Sequence, residues 1–211
     1  MFLQSDRRTS AERGVMMSVQ RIAVYCASSN KTDPEFQQSA RRLGECLARE
    51  KITIVYGGGR VGSMGQLADG ALAEGGYVVG VIPNFMAEIE WGHTGVNELH
   101  VVDDMHGRKR MMLERSDAVV ALPGGTGTFE ELLEAITLKR LGIFLKPIIL
   151  VNTRRFFDRF QELMDYCVAE KFMSPRHLKL WQVVDHPEEV LTAIRQTPPW
   201  SEGDLQGAAV N

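Results

Sequence analysis

The stretch Pro123-Gly124-Gly125-Thr126-Gly127-Thr128-Phe129-Glu130-Glu131 joins an apolar run to a helical pattern through a loop of glycines and threonines, with two carboxylates just beyond. Residues 118–122 (Ala-Val-Val-Ala-Leu) read as a buried strand, and Phe129, Leu132, Leu133 and Ile136 repeat at helical spacing. The loop therefore opens a helix. Glycines there let backbone N–H groups turn toward a ligand, and those unpaired donors together with the positive end of the helix dipole favour a phosphate.

Glu131 has two readings. Thr128-Phe129-Glu130-Glu131 fits a capping box, in which the Glu side chain returns to the N-cap amide. Alternatively its carboxylate serves whatever the loop holds, and both readings put it near the loop. On a helical wheel Glu131 points away from the stripe of Phe129, Leu132, Leu133 and Ile136 and shares its side with Ala135 and Leu138. That second face is too apolar for water, which predicts a homodimer with sites close to the subunit interface.

Positive charge gathers in Met105-His106-Gly107-Arg108-Lys109-Arg110, which opens the helix just before the glycine-loop strand. Such a triplet is either a solvated face or a reach toward the phosphate, and the neighbouring anion loop favours a functional Arg108. His106 reads as a polar helix-start residue, no other His stands at ligand spacing from it, and no metal is expected. Two further loops follow strand-like runs. Cys26-Ala27-Ser28-Ser29-Asn30 suits close approach to a ligand, with Ser28 as a contact, and equally suits capping and turns. Gly57 to Gly65 satisfies G-x-G-x-x-G through Gly57, Gly59 and Gly62, but the third strand ends in Ile82-Pro83-Asn84 without the acidic residue that a dinucleotide ribose would want. No G-x-x-x-x-G-K-[ST] sequence is present.

These loops must be carried by an alternating chain. Strands are predicted over 21–25, 52–56, 77–82, 99–102, 118–122, 147–151 and 181–184, and helices over 34–50, 63–74, 104–115, 128–141, 156–170 and 187–195. Near-continuous apolar strands separated by helices mean an α/β fold with a doubly wound, mostly parallel sheet and helices on both faces. Ligands of such sheets lie outside the carboxyl ends of the strands. The 211 residues, 44% of them hydrophobic, suit a single domain over 19–195, flanked by flexible tails at 1–18 and 196–211. The first eighteen residues carry charge and no apolar core segment, so neither a signal peptide nor a membrane span is expected. A net charge of −3 offers no broad positive field for a nucleic acid or an anionic membrane. Three cysteines, Cys26, Cys46 and Cys167, form an odd set without metal-like pairing and point to reduced thiols in a cytoplasmic setting.

Taken together, Gly57-Gly58-Gly59 with Gly62-x-Met64-Gly65, then Met105-His106-x-Arg108-Lys109, then Pro123-Gly124-Gly125-x-Gly127-Thr128-x-x-Glu131, resemble the Lonely Guy (LOG) family of cytokinin riboside 5'-monophosphate phosphoribohydrolases. The similarity runs from about Ile22 to Val184. It implies a Rossmann-like, dimeric enzyme without cofactor that hydrolyses the N-glycosidic bond of adenosine monophosphate or its N6-substituted relatives, giving free base and ribose 5-phosphate. It further implies Arg108 and Glu131 as the catalytic pair and Gly124, Gly125, Thr126, Gly127 and Thr128 as the phosphate loop. Ser28, Gly58, Met64 and Lys109 complete the expected substrate contacts. Members are often labelled lysine decarboxylases, yet no lysine here stands out as a Schiff-base candidate within a pyridoxal phosphate framework. Two departures bear on the pocket for an N6 substituent: Thr137-Leu138-Lys139-Arg140-Leu141-Gly142 stands where many plant members carry Trp and Gln, and Ser63 replaces a frequent Leu. Competing readings are a regulatory nucleotide-binding module that lacks chemistry and a nicotinamide-dependent oxidoreductase using Gly57 to Gly62.

Overall fold

Strands that are apolar along their whole length need cover on both faces, and this chain supplies it. The computed structural model describes residues 19–87 and 92–200; the tail expected over 1–18 and the 201–211 part of the second tail lie outside the described residues. In chain order the elements are β1 (Arg21–Tyr25), α1 (Pro34–Arg49), β2 (Thr53–Tyr56), α2 (Gly62–Ala73), β3 (Val78–Pro83), α3 (Asn84–Ala87), β4 (Glu98–Val102), α4 (Met105–Glu114), β5 (Ala118–Ala121), α5 (Thr126–Arg140), β6 (Ile148–Val151), α6 (Asp158–Ala169), β7 (Gln182–Val184) and α7 (Val190–Gln196). The seven strands form one parallel sheet in the order β4-β3-β2-β1-β5-β6-β7. The protein is thus an α/β, doubly wound, Rossmann-like fold.

Alternation along each strand splits the core in two. Ile22 and Val24 of β1, with Ile54, Tyr56, Val120, Ile149 and Val151, meet Leu43 and Leu47 of α1, Leu67 and Ala71 of α2, and Val190 and Ile194 of α7. Ala23 and Tyr25, with Val55, Val81, Val119 and Leu150, meet Met112 of α4, Leu132 and Ile136 of α5, Phe157 just before α6 and Phe160 within it. Among the described residues no helix is long and apolar enough to cross a membrane.

The strand order fixes where a ligand can enter. From β1 the chain leaves through α1 toward β2, whereas from the adjacent β5 it leaves through α5 toward β6 on the other side. The two loops part above the sheet and leave a crevice at the carboxyl ends. Differences from the sequence reading are local. The short α3 was not anticipated, and residues 187–189 form a 3-10 turn ahead of α7. Gln196 belongs to α7 and Trp200 is buried in the second core cluster. A large apolar indole near the chain end gains more from burial than a solvated tail would give it.

Candidate active site

A cavity of about 680 Å3 occupies that crevice, a volume suited to a small organic ligand. The loop after β1 lends Cys26, Ala27, Ser28 and Ser29; the loop after β2 and the start of α2 lend Gly57, Gly59, Arg60, Val61 and Met64. Ile82 from β3, Met86 from α3, and Met105 with Arg108 from α4 form a further wall. Gly125, Thr126, Gly127, Thr128 and Glu131, from the start of α5, close the circuit. Of the residues singled out in the sequence, Ser28, Met64, Arg108, Gly125, Thr126, Gly127, Thr128 and Glu131 therefore meet at one place.

The helix ends differ in a way that matters for an anion. At α1 the Asp33 carboxylate accepts from the Glu35 amide at 2.9 Å, and at α4 the Asp104 carboxylate accepts from the Gly107 amide at 2.7 Å. At α5 the N-cap is Gly125 and, among the described residues, no side chain caps the first turn. Its free amides and dipole face the cavity. The first turn is held in place from behind, because Phe129 stacks on Phe156 with ring centroids 6.0 Å apart and Phe156 packs edge-on against Phe157 at 5.2 Å.

Arg108 and Glu131 form the polar heart of the wall. The Arg108 guanidinium donates from Nε to the Val81 carbonyl at 3.1 Å and from Nη2 to the Gly57 carbonyl at 3.0 Å. Its Nη1 lies 3.6 Å from Glu131 Oε1, and the two side chains are only 6% and 5% exposed. Gly57 has to be glycine here, since a Cβ at that position would sit 1.7 Å from Arg108 Nη2. Burial pushes the Glu131 carboxyl up to about 7, with the Arg108 charge pulling against that rise. Close by, burial also pushes the Tyr25 phenol and the Cys26 thiol well above their usual ranges.

Several expectations are corrected. Helix α5 begins at Thr126, so Thr128 is its third residue rather than an N-cap, and Glu131 takes no part in a capping box. Glu131 and Ala135 are buried and Leu138 packs on the second core cluster, while Leu133 is 43% exposed. The face taken as outward is inward. Starting the helix two residues early does not rotate it; what turns α5 is the second wall around it, because the site side is closed by α4 as well as by the sheet. Gly58 does not line the cavity: it has a φ of 75° and faces Ile82 and Leu99. Gly124 lies behind Thr128, whose Oγ1 would be 2.1 Å from a Cβ there. Lys109 is turned away from the cavity to pair with Glu130 and Glu134 of α5. Neither Ser63 nor any residue of 137–142 lines the cavity, so these departures from the family pattern do not touch it directly.

The sequence reading missed Arg60, Ile82, Met86 and Met105. Met105 opens the Met105-His106-x-Arg108-Lys109 motif and Arg60 sits inside the Gly57 to Gly65 loop, but neither stands out as a contact, and Met86 belongs to no motif. Ile82 could have been found as the residue near the carboxyl end of a strand beside the switch point, and Met105 as the first helical residue next to the Arg108 turn. Among the described residues no group of three or more His, Cys, Asp and Glu is arranged to hold a metal, and Cys26, Cys46 and Cys167 are free thiols. Lys139 is a buried lysine whose amine burial pushes down to about 8, but it does not line the cavity.

A carboxyl raised from about 4.3 in the unfolded chain to about 7 in the folded one holds its proton more tightly when folded. Its contribution to stability is therefore present at low pH and lost as pH rises toward 7, by an amount on the order of 3 kcal/mol. Removing it should flatten that loss. Unfolding by urea at pH 5 and pH 8 is expected to show a smaller drop in stability for Glu131→Gln than for the unaltered protein; equal drops would mean that Glu131 is not the group titrating.

A family described as possible lysine decarboxylase matches residues 64–194. A cytokinin riboside 5'-monophosphate phosphoribohydrolase of Rhodococcoides fascians is 42% identical over 175 residues, covering 82% of this chain and 88% of that protein. The cytokinin riboside 5'-monophosphate phosphoribohydrolase LOG7 of Arabidopsis thaliana is 38% identical over 179 residues, covering 85% and 82% respectively. Among solved structures, the molybdenum cofactor binding protein of Rippkaea orientalis has the same fold, with a TM-score of 0.65 at 22% identity over 85% of this chain and 97% of that one. By sequence over most of its length, and by the fold and motif residues described above, the chain belongs to the Lonely Guy (LOG) family, which carries the label of possible lysine decarboxylases.

Proposed function

We propose that this protein is a phosphoribohydrolase that cleaves the N-glycosidic bond of adenosine 5'-monophosphate or of an N6-substituted relative, releasing the base and ribose 5-phosphate. The observation that carries the reading is a buried carboxylate, Glu131, set beside Arg108 on the wall of a cavity that also holds an uncapped helix N-terminus. Breaking this bond builds positive charge on the ribose ring, and a carboxylate near C1' stabilises that state and orients or deprotonates the attacking water. With its carboxyl near 7, Glu131 is partly ionised at neutral pH and fits a base better than an ordinary surface glutamate.

The 5'-phosphate is assigned to the amides of Gly125, Thr126, Gly127 and Thr128, and Ser28 approaches from the loop after β1. Anchoring that end converts binding energy into alignment of C1' with the carboxylate. Arginine does not release its proton, so Arg108 is no general acid for the departing purine. With two of its N–H groups committed to main-chain carbonyls, it holds Glu131 in place and stabilises its ionised form. Val61, Met64, Ile82, Met86 and Met105 give the base an apolar seat, and flexible methionines accommodate a substituent on N6.

The protein is proposed to work as a homodimer, on a different basis from the wheel argument. Leu133 of α5, and Leu141 and Ile143 just beyond it, are 43%, 54% and 70% exposed, an apolar surface on and next to the site helix. Light scattering should give twice the chain mass, and Leu133→Asp with Ile143→Asp should halve it; a monomeric unaltered protein removes the assembly from this account. For the reaction, incubation with adenosine monophosphate and with isopentenyladenosine monophosphate followed by chromatography should show free base. Glu131→Gln should lower the rate at least about a hundredfold while nucleotide binding by calorimetry persists. Base release near the normal rate in that variant would show that the carboxylate does no chemistry.

A further inference from the structure

Lys109 follows Arg108 on α4, yet the two side chains diverge. Arg108 enters the cavity wall, whereas Lys109, 5% exposed, crosses the α4–α5 seam to Glu130 and, at 2.8 Å, to Glu134. Glu130 and Glu134 are one helical turn apart and bracket Glu131, so three carboxylates crowd the first turns of α5. Against them stand the Arg108 guanidinium on the cavity side and the Lys109 ammonium on the other. From the end of β1 and the loop after it the facing groups are the Tyr25 phenol, whose buried hydroxyl has no hydrogen-bond partner among the described residues, and the Cys26 thiol. Both are neutral, because burial holds each well above its usual range. The charge balance around Glu131 thus rests on two cations, and only one of them touches the cavity.

We propose that Lys109 is a positioning residue: by bridging Glu130 and Glu134 it fixes α5 against α4 with Glu131 beside Arg108, and it offsets the neighbouring negative charge so that Glu131 can ionise. It does so without touching the nucleotide. This rests on the reading of Arg108 and Glu131 given above. Physically, losing one cation near a buried carboxylate favours the protonated form, and losing one anion does the reverse. The effect of Lys109 on Glu131 has the sign expected from that placement, with Glu130 and Glu134 acting against it.

The test is the pH dependence of base release in Lys109→Met, Lys109→Arg and Glu134→Gln. In the unaltered protein the acid limb of kcat/KM should fall near 7, where Glu131 titrates. Lys109→Met should move that limb up by about 0.5 to 1 pH unit and lower kcat at neutral pH by about two- to fivefold, with KM changed less than about twofold. Lys109→Arg should restore the limb. Glu134→Gln should move it down, and it carries the test if Lys109→Met does not fold. A raised KM with an unmoved limb would make Lys109 a substrate contact, and superimposable profiles would make it a purely structural lysine; either overturns the inference. Should the unaltered protein release no base, the functional reading fails separately, and 13C NMR titration of the Glu131 carboxyl in the nucleotide-free variants still reads the same shifts.

Discussion

A carboxylate buried at the start of a helix is expensive, and the rest of this site is arranged around that expense. Glu131 gives up most of its hydration and recovers part of it from one guanidinium 3.6 Å away. Arg108 can serve because its own charge is met by the Val81 and Gly57 carbonyls, which fix its plane. One of those carbonyls lies within β3 and the other just after β2, so the pair is tied to the sheet. The carboxyl near 7 records a balance that burial wins over the Arg108 charge. Such a balance suits catalysis better than stability, a trade that active sites commonly make.

The sheet topology makes the arrangement possible. Only where neighbouring strands send their chains to opposite sides does a parallel sheet open a crevice, and here β1 and β5 do so. Two glycine-bearing loops converge on it, and close approach is their common physical reason. Backbone must come within contact of a guanidinium at Gly57, and of a threonine side chain at Gly124. An uncapped α5 then presents amides where α1 and α4 present capped ends. The fold thus brings a helix N-terminus and an ionisable carboxylate to one wall.

Much of this was legible in the chain itself, for definable reasons. Runs such as Ile-Ala-Val-Tyr and Ala-Val-Val-Ala are apolar on both faces, so strands and their parallel, covered sheet followed from composition alone. The loops at 26–30, 57–65 and 123–128 were legible because glycine and hydroxyl residues interrupt those runs. Orientation within α5 was not. A helix walled on two sides buries more than one stripe, so Glu131 and Ala135 point inward beside Leu132 and Ile136, and the periodicity of apolar residues misassigns Leu133. The direction of Lys109 was not legible, because sequence shows that two cations are adjacent but not that they diverge by about 100° around a helix. Ile82, Met86 and Met105 come from three separate elements, and only the folded topology makes them neighbours.

The central claim is that main-chain amides at the start of α5 hold a sugar phosphate so that its C1' atom faces Glu131. Soaking crystals of the Glu131→Gln variant with adenosine monophosphate measures this directly. The account predicts the phosphate within hydrogen-bond distance of the 125–128 amides and the glycosidic carbon beside the altered side chain. A phosphate bound elsewhere, or a ribose turned away from position 131, would contradict it.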